Sequence, residues 1–141
     1  NMKRILFILT LMLGCEDNKD NEFDNALPDI ELDKITIVAT GGGFGLPPAY
    51  SLSFSGNIIN STDNVFKSFR QNILFTAANG NQLTGQISLP MFRWLCPFDT
   101  LYGGGKSGNF EKGYIDSVVS FKSIEDGLLV IYGEGDECDD N

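Results

Sequence analysis

Gly103-Gly104-Gly105-Lys106-Ser107 ends as a phosphate-binding loop ends, with a lysine and a hydroxyl side chain after a run of glycines. The chemistry such residues do is specific: backbone N–H groups cradle phosphate oxygens, the lysine reaches the terminal phosphates and the hydroxyl holds magnesium. The spacing here denies it. A glycine is required five positions before Gly105, where Thr100 stands, and the segment after Ser107 has no helical pattern. The stretch is read as a glycine-rich surface loop, and no nucleotide is expected. Gly41-Gly42-Gly43-Phe44-Gly45 is no better as a dinucleotide fingerprint, because Pro47 and Pro48 follow instead of a helix. It reads as a tight connection between strands, with a backbone nest for an anion or a partner chain as the alternative.

Hydrolytic chemistry lacks its parts. The chain has no histidine, which removes Ser-His-Asp and Cys-His arrangements and the usual zinc sites. Lys106 adjoins Ser107, but neighbours on a glycine loop are poorly positioned for proton transfer. Asp99, Glu111 and Asp116 are the candidate paired carboxylates, yet nothing in their spacing sets two of them about 5 or 8 Å apart. Asp20, Glu22 and Asp24 have the alternate spacing that opens a calcium loop, but Asn25 replaces the needed glycine. The reading is a non-catalytic chain with no cofactor and no metal. Nineteen acidic against ten basic residues, without a basic stripe, also argues against nucleic acid.

The elements that would carry these residues follow from periodicity. Residues 33–40 alternate as a strand. In residues 49–56, Tyr50, Leu52 and Phe54 share one face and Ser51, Ser53 and Ser55 the other, which predicts one packed and one wet face. Ile58 and Ile59 continue or pair with this strand. Phe66, Phe69 and Ile73 have helical spacing behind a capping Asp63, whereas residues 72–75 and 81–89 read as strands joined at Ala78-Asn79-Gly80-Asn81. Residues 88–98 predict a short helix, with Pro90 in its first turn and Pro97 at its end. Phe92 and Trp94 on that helix cannot both face inward. Residues 102–113 form a long glycine loop, and residues 114–135 form two strands bent at Asp126-Gly127. The expected fold is α+β: a small, mainly antiparallel sheet of five or six strands with one or two short helices packed on one face. A small barrel or sandwich is second.

Charge divides the chain. Residues 16–33 hold eight acids and only Lys19 as a base, residues 34–133 hold seven bases and six acids, and five acids crowd residues 134–141. The layout predicts a leader at 1–14, an acidic tether at 15–32, one domain at 33–133 and an acidic tail at 134–141. Lys3 and Arg4 precede an apolar run from Ile5 to Leu13 that is too short to span a bilayer and suits a secretory leader. Outside the cytoplasm, Cys96 and Cys138 invite pairing, which would close a loop of about forty residues. The alternative leaves Cys96 buried and reduced, and Cys138 loose.

Leu11-Met12-Leu13-Gly14-Cys15 resembles the lipobox of bacterial lipoproteins. Gly14 and Cys15 occupy the pattern's two strictest positions, while Leu13 is bulkier than the residue usual there. The resemblance implies cleavage before Cys15, a diacylglyceryl group on its thiol and attachment to a membrane in the bacterial cell envelope. Outer membrane is the expectation, on its periplasmic face or on the cell surface; acids directly after Cys15 resemble surface-export signals, and Glu16 would favour the inner membrane under the other sorting rule.

Two further resemblances concern the domain. Phe44, Gly45, Pro48 and Tyr50 match an uncharacterised envelope domain whose pattern reads C-F-G-x-C-P-x-Y, with Gly43 and Pro47 in place of its cysteines. Residues 84–95 resemble that family's strand-into-helix segment. Gly42, Gly43, Phe44 and Gly45 also resemble the first loop of emfourin-type inhibitors of thermolysin-like proteases. The first resemblance implies no activity; the second implies protease inhibition, in which 41–48 would project as a rigid ridge. The reading overall is a binding or structural protein, an accessory subunit of an outer-membrane assembly whose partner is another envelope protein or a glycan. Phe44, Trp94, Tyr102 and Phe110 are the candidate anchors, the last three as one exposed platform if the partner is a glycan.

Overall fold

The computed structural model describes residues 26–138, so the leader, Cys15 and the last three acidic-tail positions lie outside the described residues. Within them the chain is all β. Six strands, β1 (Asp29–Thr40), β2 (Ala49–Ile59), β3 (Val65–Ala77), β4 (Gln82–Ser88), β5 (Thr100–Ser107) and β6 (Val118–Gly133), form one antiparallel sheet in the order β1-β2-β5-β4-β3-β6. The α+β expectation is overturned: helical structure among the described residues is limited to a 3-10 turn, Gly135–Cys138.

With no helix to cover it, the sheet covers itself by curling. Leu52, Phe54 and Ile58 of β2, Phe69, Ile73 and Phe75 of β3 and Ile87 of β4 are all buried in one cluster. Phe54 and Phe75 lie with ring centroids 4.8 Å apart, although β5 and β4 separate their strands and adjacent strands sit about 4.8 Å apart. Glycines make this approach possible. A Cβ on Gly85 would stand 2.8 Å from Phe54 Cζ and 3.1 Å from Phe75 Cε2, and one on Gly103 would stand 2.8 Å from Ile58 Cδ1. The "glycine loop" is therefore a central strand whose inner face is left bare so that large side chains from β2 can lie across it. The curl also turns the first and last strands toward one another: Asp29 and Glu31 of β1, Gln71 of β3 and Ser123 of β6 line one open cleft.

Three other expectations change for local reasons. Phe66, Phe69 and Ile73 are strand residues. A bulge at Lys67, between the pairs Phe66–Tyr132 and Ser68–Ile131, puts Phe66 and Phe69 both into the core, and an extra residue in a strand imitates helical spacing. Residues 88–98 form no helix. Phe92 and Phe98 have φ of 60° and 57°, and Leu95 exchanges backbone hydrogen bonds with Phe66 at 3.0 and 2.9 Å as a strand-like bridge. Asp126-Gly127 bends no hairpin. β6 runs continuously past it, and residues 125–128 bulge out between the pairs Asn72–Ile124 and Arg70–Leu129, with Gly127 at φ 74°. By contrast, β3 and β4 pair as the expected hairpin, turning through residues 78–81. The β1 strand begins four residues earlier than the sequence pattern indicated, and Ser51 on the expected wet face of β2 is buried.

Antiparallel pairing sorts the connections to two ends. Residues 26–28, loops 60–64 and 89–99 and the segment 134–138 lie at the end where the described chain enters. Loops 41–48, 78–81 and 108–117 lie at the far end.

Candidate functional site

Residues with nominal chemistry are occupied structurally. Because β5 is a strand, Lys106 and Ser107 point to opposite faces. The Ser107 hydroxyl accepts a hydrogen bond from Leu52 N at 2.9 Å and donates to Gly108 O at 2.8 Å, so it serves the β2–β5 junction. Asp99 sits at the entry end, capping Thr100 N at 2.8 Å, while Glu111 and Asp116 belong to a far-end loop, where Asp116 accepts from Ser117 N at 2.7 Å. The candidate carboxylates are not brought together as a set.

The candidate anchors separate in the same way. Phe110 is buried; its backbone exchanges two hydrogen bonds with Tyr50, at 2.9 and 2.8 Å, and its ring packs on Tyr50 and Tyr114. Tyr102 is half-exposed on the outer face. Its phenolic oxygen lies 3.0 and 3.2 Å from the Asp33 carboxylate oxygens and 2.9 Å from Ser55 Oγ. With one proton to give, the phenol donates to Asp33 and accepts from Ser55, stitching β1, β2 and β5. Trp94 is partly buried under Lys67, whose Nζ lies 5.0 Å from the ring centroid. Tyr102 is on the outer sheet face, Trp94 in the entry-end loop and Phe110 in the far-end core, so the three do not form one platform.

Phe44 behaves differently. It stands fully exposed at the tip of loop 41–48, with Leu46 also exposed two residues on. The loop's base is fixed: Thr40 Oγ1 donates to Asn109 Oδ1 at 3.1 Å, Tyr50 is paired with Phe110, and Leu46 N closes a turn onto Gly43 O at 3.2 Å. Beside it an open groove of about 670 Å³ runs between Pro47, Pro48 and Ala49 on one wall and Phe110, Glu111 and Lys112 on the other. Apolar walls with a charged rim suit an interface whose anchor is a large side chain.

A regularity emerges that sequence reasoning missed. Among the described residues, the non-glycine positions with positive φ are Phe44, Phe92 and Phe98, and each of the three phenylalanines is exposed. The left-handed region costs an ordinary residue about 1–2 kcal/mol, and a solvated ring returns none of the free energy that burial would give. Such strained, exposed positions cluster where a protein meets something else. Phe92, Phe98 and exposed Met91 occupy loop 89–99 at the entry end. Their mark in the sequence is a place beside Pro90 and Pro97, a pattern that fits a turn as well as a helix.

That second loop is rigidly seated. Cys96 is joined to Cys138, as the cysteine count suggested. Buried Asn60 donates from Nδ2 to Asn64 O at 2.6 Å and Cys96 O at 2.9 Å, and accepts at Oδ1 from Thr62 N at 3.0 Å and Thr62 Oγ1 at 2.7 Å. One amide thus ties loop 60–64 to loop 89–99.

Fold and site together define a class: a curled six-stranded antiparallel domain that holds strained phenylalanines in solvent from loops at both ends. Compared with known proteins, the chain matches no family model, no curated protein and no solved structure.

Proposed function

We propose that this chain is a lipid-anchored protein of the bacterial cell envelope, held at the outer membrane through Cys15, that binds another envelope protein without catalysis. The observation that carries the binding role is the solvated pair Phe44 and Leu46 on a loop with a fixed base, beside an apolar groove. A large ring already displayed in place loses little side-chain entropy on docking, which favours it as an anchor. The polarity of the fold agrees with this use. Loop 41–48 lies at the end opposite chain entry, so a tether from Cys15 leaves it facing away from the membrane. A protein partner is favoured over a glycan because Phe110 is buried and the three-aromatic platform is lost.

The test has two arms in the native host. Intact mass of the mature protein is expected to begin at an acylated Cys15; residues 1–14 retained without acyl groups defeats the anchor. A photo-crosslinking residue at position 44 is expected to capture one envelope protein reproducibly, and Leu46→Ser in the same chain is expected to abolish that capture. Capture unaffected by the substitution defeats the binding role.

Protease inhibition is the second reading, favoured by one observation: loop 41–48 stands exposed along its whole length, as an inhibitory ridge must. Titration against a thermolysin-like protease decides it, with loss of inhibition in Phe44→Ser as the required outcome.

A further inference from the structure

We infer that loop 89–99 is a second membrane contact: Met91, Phe92 and Phe98 dip into the lipid interface beneath the domain while the acyl group on Cys15 holds it there. The inference rests on the lipid-anchor reading and adds an orientation to it. Its first support is position. The described chain enters at Ala26, and β1 starts at Asp29 opposite Ile59, whose neighbour Asn60 bonds through its backbone to Asp99 at 2.9 Å. Loop and entry point therefore share one end of the sheet. Ten residues lie between Cys15 and Ala26, a reach of at most about 40 Å even fully extended, so an anchored Cys15 keeps this end near the bilayer.

Its second support is the kind of surface. An open groove against Ser55, Tyr102 and Gly103 takes in Met91 but neither phenylalanine; Met91 and Phe92 are largely exposed and Phe98 is 70 % exposed. They project singly from a segment pinned by the Cys96–Cys138 bond and by Asn60. Partly buried Trp94 and exposed Arg93 sit between them. Apolar tips flanked by an indole and a guanidinium match the composition of side chains that settle at the headgroup boundary. The acids that follow Cys138 in sequence weigh against strongly anionic lipid, so the surface expected is zwitterionic.

Trp94 is the one tryptophan in the chain and reports from inside the loop. The acylated full-length protein, reconstituted in phosphatidylcholine vesicles brominated near the headgroup, is expected to lose about half its emission relative to unbrominated vesicles. Phe92→Ser with Phe98→Ser is expected to remove that quenching while co-sedimentation with vesicles persists. Phe44→Ser, at the far end, is expected to leave quenching unchanged. Because both rings are solvated, the double variant should keep the wild-type melting transition, which is measured alongside. Co-sedimentation without quenching overturns the loop contact and leaves the anchor standing; it is also the outcome expected if a protein covers the loop. Failure to co-sediment overturns both.

Discussion

Phe54 of β2 and Phe75 of β3 touch across two intervening strands, their ring centroids 4.8 Å apart. The contact exists because Gly85 of β4 has no side chain beneath the rings, where a Cβ would stand 2.8 Å from Phe54 Cζ. Gly85→Val is therefore expected to destabilise the domain by about 1–3 kcal/mol through overpacking. Shortening the ring should relieve the conflict: Phe54→Leu, destabilising alone, is expected to cost less in the Gly85→Val background. Urea unfolding of the four proteins in that cycle checks it. Strict additivity would mean the two residues do not share the space.

The same contact explains how far the sequence could be read. Alternation in residues 49–59 and the turn at residues 78–81 were legible because they are local. The helices were read from local marks, the spacing of Phe66, Phe69 and Ile73 and the prolines at 90 and 97, and neither mark carries information about a sheet that curls over its own face. Gly103, Gly104 and Gly105 look like a loop in sequence, and the role of Gly103 and Gly105 appears only when Ile58 and Phe54 from another strand lie over them. The bulges at Lys67 and at 125–128 shift the period by one or more residues, and no single-strand pattern contains that information. Of the candidate site, Phe44 was visible through its flanking glycines. Phe92 and Phe98 were hidden by a proline pattern that a turn and a helix share.

Asn60 joins two loops through one buried amide, donating to Asn64 O and Cys96 O and accepting from Thr62. Asn60→Ala leaves those groups unpaired and is expected to cost about 1–3 kcal/mol. Asn60→Asp has the same shape, but an ionised carboxylate donates nothing and faces two carbonyl oxygens. Burial beside those carbonyls should raise its folded-state pKa above the unfolded value, so its deficit should shrink as pH falls and the acid regains a proton to donate. Melting curves at several pH values test this. A deficit that grows on acidification, relative to wild type, would refute the assignment.

The Cys96–Cys138 bond spans 42 residues. Closing a loop of that length removes unfolded-state entropy equivalent to about 4 kcal/mol, less any strain. Cys96→Ser with Cys138→Ser is expected to lower stability by that order in an oxidising buffer. Under reducing conditions the wild-type protein should fall to the stability of the double variant. Equal urea midpoints for wild type and variant in oxidising buffer would contradict the closure argument.

Phe44 combines a backbone cost with a solvated ring, and the two can be separated by substitution. Its φ of 54° lies in the left-handed region, which glycine enters without steric penalty. Phe44→Gly removes that strain and removes no buried contact, while the added freedom of the unfolded chain takes back part of the gain. The net expectation is stabilisation by about 0.5–1 kcal/mol, read as a higher urea midpoint at unchanged m-value. Phe44→Ala keeps the Cβ and hence the strain, so it should leave stability close to wild type. Both variants lose the ring and, with the photo-crosslinking residue moved to position 46, should lose the captured partner equally. If Phe44→Gly destabilises the domain, the ring contributes to the fold after all, and its exposure is no argument for binding. If it stabilises the domain and also abolishes partner capture, the chain is keeping a strained residue at the loop tip for what that residue touches outside the molecule.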